Sequence, residues 1–103
     1  MKSTITWADK VHDRDGVPIC IYDIAFSPDG SQIIAAAGNR VLVYYTADGE
    51  FVTGLKGHVD AVYCVAFSRD GKTFASGSAD GVVIIWKDSL EVRTRMSTHV
   101  HRI

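Results

Sequence analysis

The chain contains residue types that often perform chemistry, but few are spaced as a catalytic or metal site requires. His99 and His101 are two residues apart, so on a strand their side chains would share one face. A metal site would need at least one further ligand close to this pair. We therefore predict no metal site and no bound cofactor.

The cysteines and carboxylates also favour structural roles. Cys20 and Cys64 do not form a CxxC pair. Cys64 lies in an apolar run, and no neighbouring cation or helix start would lower the pKa of its thiol. Three aspartates stand at turns beside glycines, which explains them better than acid–base catalysis does: Asp29, Asp48 and Asp70. We predict no catalytic residue.

Composition excludes several partner classes. The 103 residues carry a net charge of −1, without the basic excess that would indicate binding to nucleic-acid phosphates. No apolar stretch is long enough to span a membrane, and the first residues are too polar for a signal peptide. The chain also lacks the GxxxxGK[ST] phosphate-binding loop, so we expect no small-molecule substrate. A cytosolic or nuclear protein is the default expectation.

An internal repeat organises the whole chain. Residues 21–30 match residues 62–71 at an offset of 41 residues, and residues 41–45 fall on residues 82–86 at the same offset. This period lies within the about 40–45 residues of four-stranded propeller repeats, and it differs from helical repeats. The sequence therefore predicts two copies of one structural unit.

Each repeat consists of short strands. Residues 61–67, 73–78 and 82–86 are rich in β-branched and aromatic residues, and Asp-Gly pairs separate them. The first and third of these are almost wholly apolar, which is typical of strands buried on both faces. Residues 91–96 alternate and predict a half-exposed outer strand. The prediction is an all-β fold of four-stranded antiparallel blades, about two of them, in an incomplete β-propeller.

The positions at which the 41-residue repeat begins and ends give the predicted domain boundaries. Residues 1–15 hold an N-terminal strand, at residues 3–7, and a loop. Residues 16–56 form a degenerate first repeat and residues 57–97 a second one. Residues 98–103 begin a third.

Gly57-His58, followed by Asp80 and Trp86, resembles the pattern of the WD-repeat family. The resemblance implies a propeller that serves as a scaffold for other proteins. It also implies a structural hydrogen-bond network in which the side chains of four residues meet: His58, Ser78, Asp80 and Trp86. A buried carboxylate needs such donors.

This chain departs from the family pattern in two places. The family's Trp-Asp pair is Trp86-Lys87 here, and the first repeat lacks the whole network. Its corresponding positions are Val17, Ala37, Asn39 and Tyr45. We expect the first blade to rely on packing.

Further segments resemble subunits of the intraflagellar transport A complex more closely than WD repeats in general. They are residues 6–10, 22–26, 55–58, 62–66 and 74–80. This resemblance implies a subunit of a large protein complex that acts in retrograde ciliary transport and cilium assembly. The expected location is then the cytoplasm, the cilium and the ciliary base.

Two other functions stay open on the residues alone. One is a WD-repeat adaptor outside cilia, such as a substrate receptor of a ubiquitin ligase. The other is an enzyme acting in the propeller channel, which the apolar inner strands disfavour. For a scaffold, we predict partner contacts at charged residues on the rims: Lys56, Asp60 and Arg69.

Overall fold

A computed structural model describes residues 4–13 and 15–87, together with the backbone of residue 88 and of residues 96–102. This part of the chain forms two four-stranded antiparallel sheets. The first contains β1 (Ile21–Phe26), β2 (Gln32–Ala37), β3 (Arg40–Tyr45) and β4 (Phe51–Lys56). The second contains β5 (Val62–Phe67), β6 (Thr73–Ser78), β7 (Val82–Asp88) and β8 (Met96–Arg102). Strands neighbour one another in chain order, which confirms the predicted all-β blades.

Aspartate and glycine residues close the hairpins as predicted. Asp29, Asp48 and Asp70 each accept the backbone N–H two residues further on, a local bond that favours a turn. Hydrogen bonds from Ser31 and Ser27 lower the pKa of Asp29 to about 2. The glycines that follow these aspartates have φ between +72° and +76°, a region that glycine adopts without steric cost.

The two sheets repeat in detail as well as in outline. The innermost strand of each has a register irregularity near its start, between Ile21 and Asp23 in β1 and between Val62 and Cys64 in β5. These positions are 41 residues apart in the chain. A bulge bends its strand and re-aims a side chain, so each blade turns one residue, Tyr22 or Tyr63, out of the regular alternation.

A shared apolar core holds the two blades together. The first sheet contributes Ile34, Val41 and Val43, and the second contributes Ile84 and Trp86, all of them buried. Burial of apolar surface between sheets is the main favourable term in such packing. Burial on both faces was predicted for residues 61–67 and 82–86. In the described chain β5 buries only Val62 and Val65, and β7 only Ile84 and Trp86, because the second sheet has a single blade against it here.

The N-terminal segment packs on the first sheet through side chains. The Trp7 ring lies 5.7 Å from the Tyr44 ring, and its indole N–H donates to the Thr46 carbonyl at 2.7 Å. The Tyr44 hydroxyl donates to Asp9 at 2.9 Å. Burial, reinforced by the Asp9 carboxylate, raises the pKa of Tyr44 to about 12.

The strand predicted at residues 3–7 is wrong for its described part, because residues 4–7 form no strand. Trp7 is anchored by its ring rather than by backbone pairing. The ring lies so close to Gly49 that a Cβ there would approach it to 2.6 Å. Gly49 is thus required both by its turn and by the docked tryptophan.

The outer strand of the second blade also differs from the prediction. It was expected at residues 91–96, of which residues 91–95 lie outside the described residues. The structure instead pairs β8 with β7, from Asp88 with Met96 to Val82 with Arg102. β7 ends two residues beyond the repeat position of the end of β3, and β8 begins four residues beyond the repeat position of the start of β4. Residues 98–102, predicted to begin a third repeat, belong to the second sheet.

The described residues contain no helix with the length and apolarity needed to cross a bilayer.

Candidate protein-interaction site

The loop between β4 and β5 places His58 between the two sheets. Gly57 precedes it, and a Cβ at this position would come within 2.9 Å of Ile84 and 3.1 Å of Trp86. Glycine therefore lets the loop backbone approach the second blade closely enough to bury the His58 ring, which is 6% exposed.

Ser76 joins His58 to Trp86. The Trp86 indole N–H donates to the Ser76 hydroxyl at 2.8 Å, and His58 Nε2 lies 2.7 Å from the same oxygen. Since that oxygen already accepts from Trp86, its own proton is available for Nε2. Donation from Ser76 to Nε2 requires the neutral tautomer whose ring proton is on Nδ1. All three side chains are buried, so these bonds satisfy groups that would otherwise be costly to remove from water.

The assignment of Ser78 as the serine of this network is wrong, and strand register explains why. Trp86 pairs directly with Phe74 across β6 and β7. Ser76 is two residues from Phe74 and within diagonal reach of the indole, whereas Ser78 is two residues further away on the same face. Both serines lie on the same face of β6, so residue type alone does not show which of them reaches Trp86.

Ser78 bonds instead with Asp80 in the turn between β6 and β7. Its hydroxyl donates to the Asp80 carboxylate, which also accepts the Val82 N–H at 3.1 Å. These bonds, that of Ser78 first, lower the pKa of Asp80. The side chain of Asp80 is exposed, so the predicted buried carboxylate is a turn cap at the surface.

The resemblance to WD repeats implies that His58 donates to Asp80, but these two side chains form no hydrogen bond within the described part of the chain. His58 Nδ1 is buried and has no hydrogen-bond partner there. Burial lowers the pKa of His58, while the charge of Asp80 opposes this effect. The two side chains therefore interact through charge without a direct hydrogen bond.

The first blade makes a different kind of polar contact, which the sequence pattern did not predict. Asp23 on β1 accepts the Val65 N–H of β5 at 3.0 Å, across the boundary between the blades. The Val62 N–H, at the start of β5, donates to the Gly38 carbonyl at 2.7 Å. Cys64 occupies the position in the second repeat that corresponds to Asp23 in the first. The sequence signal for this contact was therefore a carboxylate that is present in one repeat only.

The predicted contact residues lie at two opposite ends of the sheets. We name the end formed by residues 38–39, 57–61 and 79–81 the His58 rim, and the end formed by residues 27–31, 46–50 and 68–72 the Arg69 rim. Lys56 and Asp60 are exposed at the His58 rim, and Arg69 is exposed at the other. The structure therefore brings two of the three candidates to one surface and separates the third.

The His58 rim also exposes apolar and aromatic side chains. Val59 at the loop tip is 85% exposed. Tyr22 and Tyr63, at the rim ends of β1 and β5, are 51% and 53% exposed. Aromatic anchors within a polar surround are typical of protein interfaces.

Among the residues whose side chains are described, no three His, Cys, Asp or Glu are grouped as metal ligands. The side chains of His99 and His101 lie outside the described residues, so the structure does not test whether this pair could bind a metal ion.

Comparison with known proteins agrees with this geometry. The family model described as "WD domain, G-beta repeat" matches residues 10–45 and 49–87. The chain is also similar to solved propeller structures. Over 82% of its length it resembles 29% of the Cps50 (Swd1) β-propeller domain of Myceliophteria thermophila, with a TM-score of 0.71 and 10% identity. Over the same share it resembles 27% of the RRP9 WD40 repeats, with a TM-score of 0.68 and 26% identity.

Curated relatives are much more similar to this chain in sequence than these solved structures are. The chain is 67% identical over 91 residues to the intraflagellar transport protein 122 homolog of Danio rerio and 57% identical to that of Homo sapiens. The match includes 88% of this chain and 8% and 7% of those proteins. The chain thus spans less than a tenth of the length of these relatives.

Proposed function

The chain belongs to the family of the WD domain, G-beta repeat, and from that premise we propose that it is a non-catalytic scaffold for protein–protein interaction in a ciliary transport complex. The observation that carries the proposal is the high identity to intraflagellar transport proteins over 91 residues. Fold similarity alone extends to propellers of other kinds, and a fold by itself does not specify a function.

The described side chains support a scaffold rather than an enzyme. The buried side chains of His58 and Trp86 both bond to the Ser76 hydroxyl inside the blade. The charged groups Lys56 and Asp60 are exposed beside the apolar tip of Val59. An apolar centre surrounded by charge suits a partner protein that is recognised by shape and charge.

The proposal gives the whole protein a set of partners and a location. It would act with other subunits of the intraflagellar transport A complex, in retrograde ciliary transport and cilium assembly. It would reside in the cytoplasm, at the ciliary base and in the cilium. Nucleic acid, membrane insertion and a small-molecule substrate are not part of the proposed activity.

The test is co-purification of the tagged full-length protein from ciliated cells. We expect the other subunits of the complex to be recovered with it, and the tag to be seen in cilia. Recovery of ubiquitin-ligase subunits in their place would favour the adaptor function. Absence from cilia together with failure to recover any transport subunit would overturn the proposal.

Matched variants test which rim is used. Lys56→Glu and Asp60→Lys reverse charge at the His58 rim, and Arg69→Glu does so at the Arg69 rim. We expect the first two to reduce recovery of a partner by about tenfold, the scale of one strong interface residue. Arg69→Glu should leave recovery unchanged, whereas the opposite pattern would move the contact to the Arg69 rim.

A further inference from the structure

Arg40 and Lys56 lie directly opposite each other at the His58 rim, on neighbouring strands of the first sheet. Arg40 is the first residue of β3 and Lys56 is the last residue of β4, and the strand register pairs them. Directly opposed residues extend their side chains from the same face of a sheet, with Cβ atoms about 4.5–5.5 Å apart. Lys56 is exposed and Arg40 is half-buried. The first blade therefore holds two positive charges side by side at an accessible end.

The blade architecture does not require this pair of charges. The residue of the second repeat that corresponds to Arg40 is Gly81, so the second blade forms without such a pair. Like charges that face each other across two strands destabilise the pairing of those strands. Arg40 and Lys56 therefore cost the first blade some stability, and the fold gives no reason for that cost.

No acidic residue lies opposite Arg40 in the sheet to neutralise the pair. On one side Arg40 pairs with Ala37 of β2, and on the other side it pairs with Lys56. β4, which carries Lys56, is the last strand in the order of its sheet. Two acidic side chains outside the strands are bonded elsewhere. Asp9 accepts from a tyrosine hydroxyl at 2.9 Å, and Asp60 accepts a backbone N–H of its own loop at 2.7 Å.

We propose that Arg40 and Lys56 together bind the carboxylate of an acidic side chain on a partner protein. The inference rests on the proposed scaffold function and names the charge of one of its contacts. A carboxylate can accept two parallel N–H bonds from a guanidinium group, and the lysine ammonium adds a second positive charge. A negative group bound between the two cations replaces their repulsion with attraction, which favours the complex over the free protein.

Binding of short fluorescent peptides to the full-length protein at neutral pH tests the proposal. One probe carries three consecutive glutamates between serine and glycine residues, and the other carries three glutamines in the same context. Glutamine keeps the size of glutamate and removes its charge. We expect the glutamate peptide to bind about tenfold more tightly, the scale of one charge-assisted hydrogen bond. Equal binding of the two peptides, or no binding of either, would overturn the proposal.

Two double variants with the same loss of charge locate the contact. The variant with both Arg40→Gln and Lys56→Gln should lose the preference for the glutamate peptide. The control carries Lys72→Gln and Lys87→Gln, two exposed lysines of the second sheet, and should keep the preference. An equal loss in both variants would show a general effect of net charge, and an equal retention would place the contact elsewhere. Either result contradicts the assignment.

Hydrogen exchange of the full-length protein shows whether a carboxylate of the same protein already neutralises the pair. If the two charges repel each other in the free protein, the variant with Arg40→Gln and Lys56→Gln should protect the amides of β3 and β4 at least as well as the unaltered protein does. Faster exchange in these strands of the variant would mean that the cations serve the fold, and the proposal would be wrong.

The two proposals can fail independently. If the preference for glutamate is absent but transport subunits still co-purify, only the contact of Arg40 and Lys56 is wrong. If the preference is present but no transport subunit is recovered, the contact stands and the ciliary assignment falls.

Discussion

The carboxylate of Asp23 on β1 accepts the backbone N–H of Val65 on β5 at 3.0 Å, and this bond links one blade to the next. The same carboxylate accepts the N–H of Ile24 in its own strand. Asp23 therefore connects the bulge of the first blade to the inner strand of the second. The buried network of the second blade has no counterpart in the first. The Asp23 bond is therefore a polar contact that holds the degenerate first repeat against the second.

Removal of the Asp23 carboxylate should weaken the joint between the blades. We expect Asp23→Ala to lower the free energy of unfolding of the full-length protein by about 1 kcal/mol, because Val65 N–H loses a half-buried acceptor. Asp23→Asn keeps one acceptor oxygen and should cost less. Urea unfolding followed by tryptophan fluorescence measures both. Equal stability of Asp23→Ala and the unaltered protein would show that the bond contributes nothing.

Ser76 and Ser78 allow a direct comparison of a buried and a surface hydroxyl in one strand. Ser76→Ala would leave the buried Trp86 N–H and His58 Nε2 without their shared partner. We expect a loss of roughly 2–4 kcal/mol, the cost of two unsatisfied buried groups. Ser78→Ala should have a much smaller effect, since it removes only a bond in the surface turn. Thermal melting of the two variants decides the order, and a larger loss for Ser78→Ala would restore the original assignment.

These two serines also show where sequence reasoning reaches its limit. The 41-residue repeat predicts the blades, because apolar strands and Asp-Gly turns must recur whenever a sheet does. Which of two serines reaches Trp86 depends on the pairing of Trp86 with Phe74, and strand register is not visible in residue type. Asp23 escapes prediction for the opposite reason, because a repeat identifies positions that recur and the carboxylate of Asp23 does not recur at Cys64.

The two ends of the chain are a second limit. Residues 4–7 have a composition that suits a strand, yet Trp7 is held by its ring against Tyr44 and Gly49. The outer strand at Met96–Arg102 pairs along the whole of β7, a register that no local pattern in residues 91–96 reveals. Both errors concern segments whose structure depends on a tertiary contact.

The buried His58 predicts a dependence of stability on pH. Burial lowers its pKa in the folded protein below the ordinary value of 6.5, and the nearby Asp80 charge only partly offsets this. As the pH falls, the unfolded chain therefore takes up a proton before the folded chain does. Stability from this residue is complete above about pH 6.5 and declines as the pH falls through that value.

The measurement is the free energy of unfolding from about pH 7.5 to about pH 5.5, the range in which an ordinary histidine titrates. His58→Gln is the matched variant, because its amide is polar but does not titrate. We expect a shallower decline for the variant than for the unaltered protein. An identical slope in the two proteins would show that His58 is not held in its neutral form.

Gly57 provides the sharpest steric test of how the loop approaches the second blade. In Gly57→Ala the new Cβ would lie 2.9 Å from the Ile84 Cδ1 atom and 3.1 Å from the Trp86 ring. Both neighbours are buried, so neither can move away freely, and we expect a loss of roughly 1–3 kcal/mol from overpacking. Gly54→Ala in β4 is the control, since its Cβ would make only ordinary contact at 3.4 Å with Leu42. The Gly57 variant should also perturb Trp86 fluorescence, because the indole must shift to admit the methyl group. If both variants melt at the same temperature as the unaltered protein, the loop does not pack against Trp86 as closely as the structure describes.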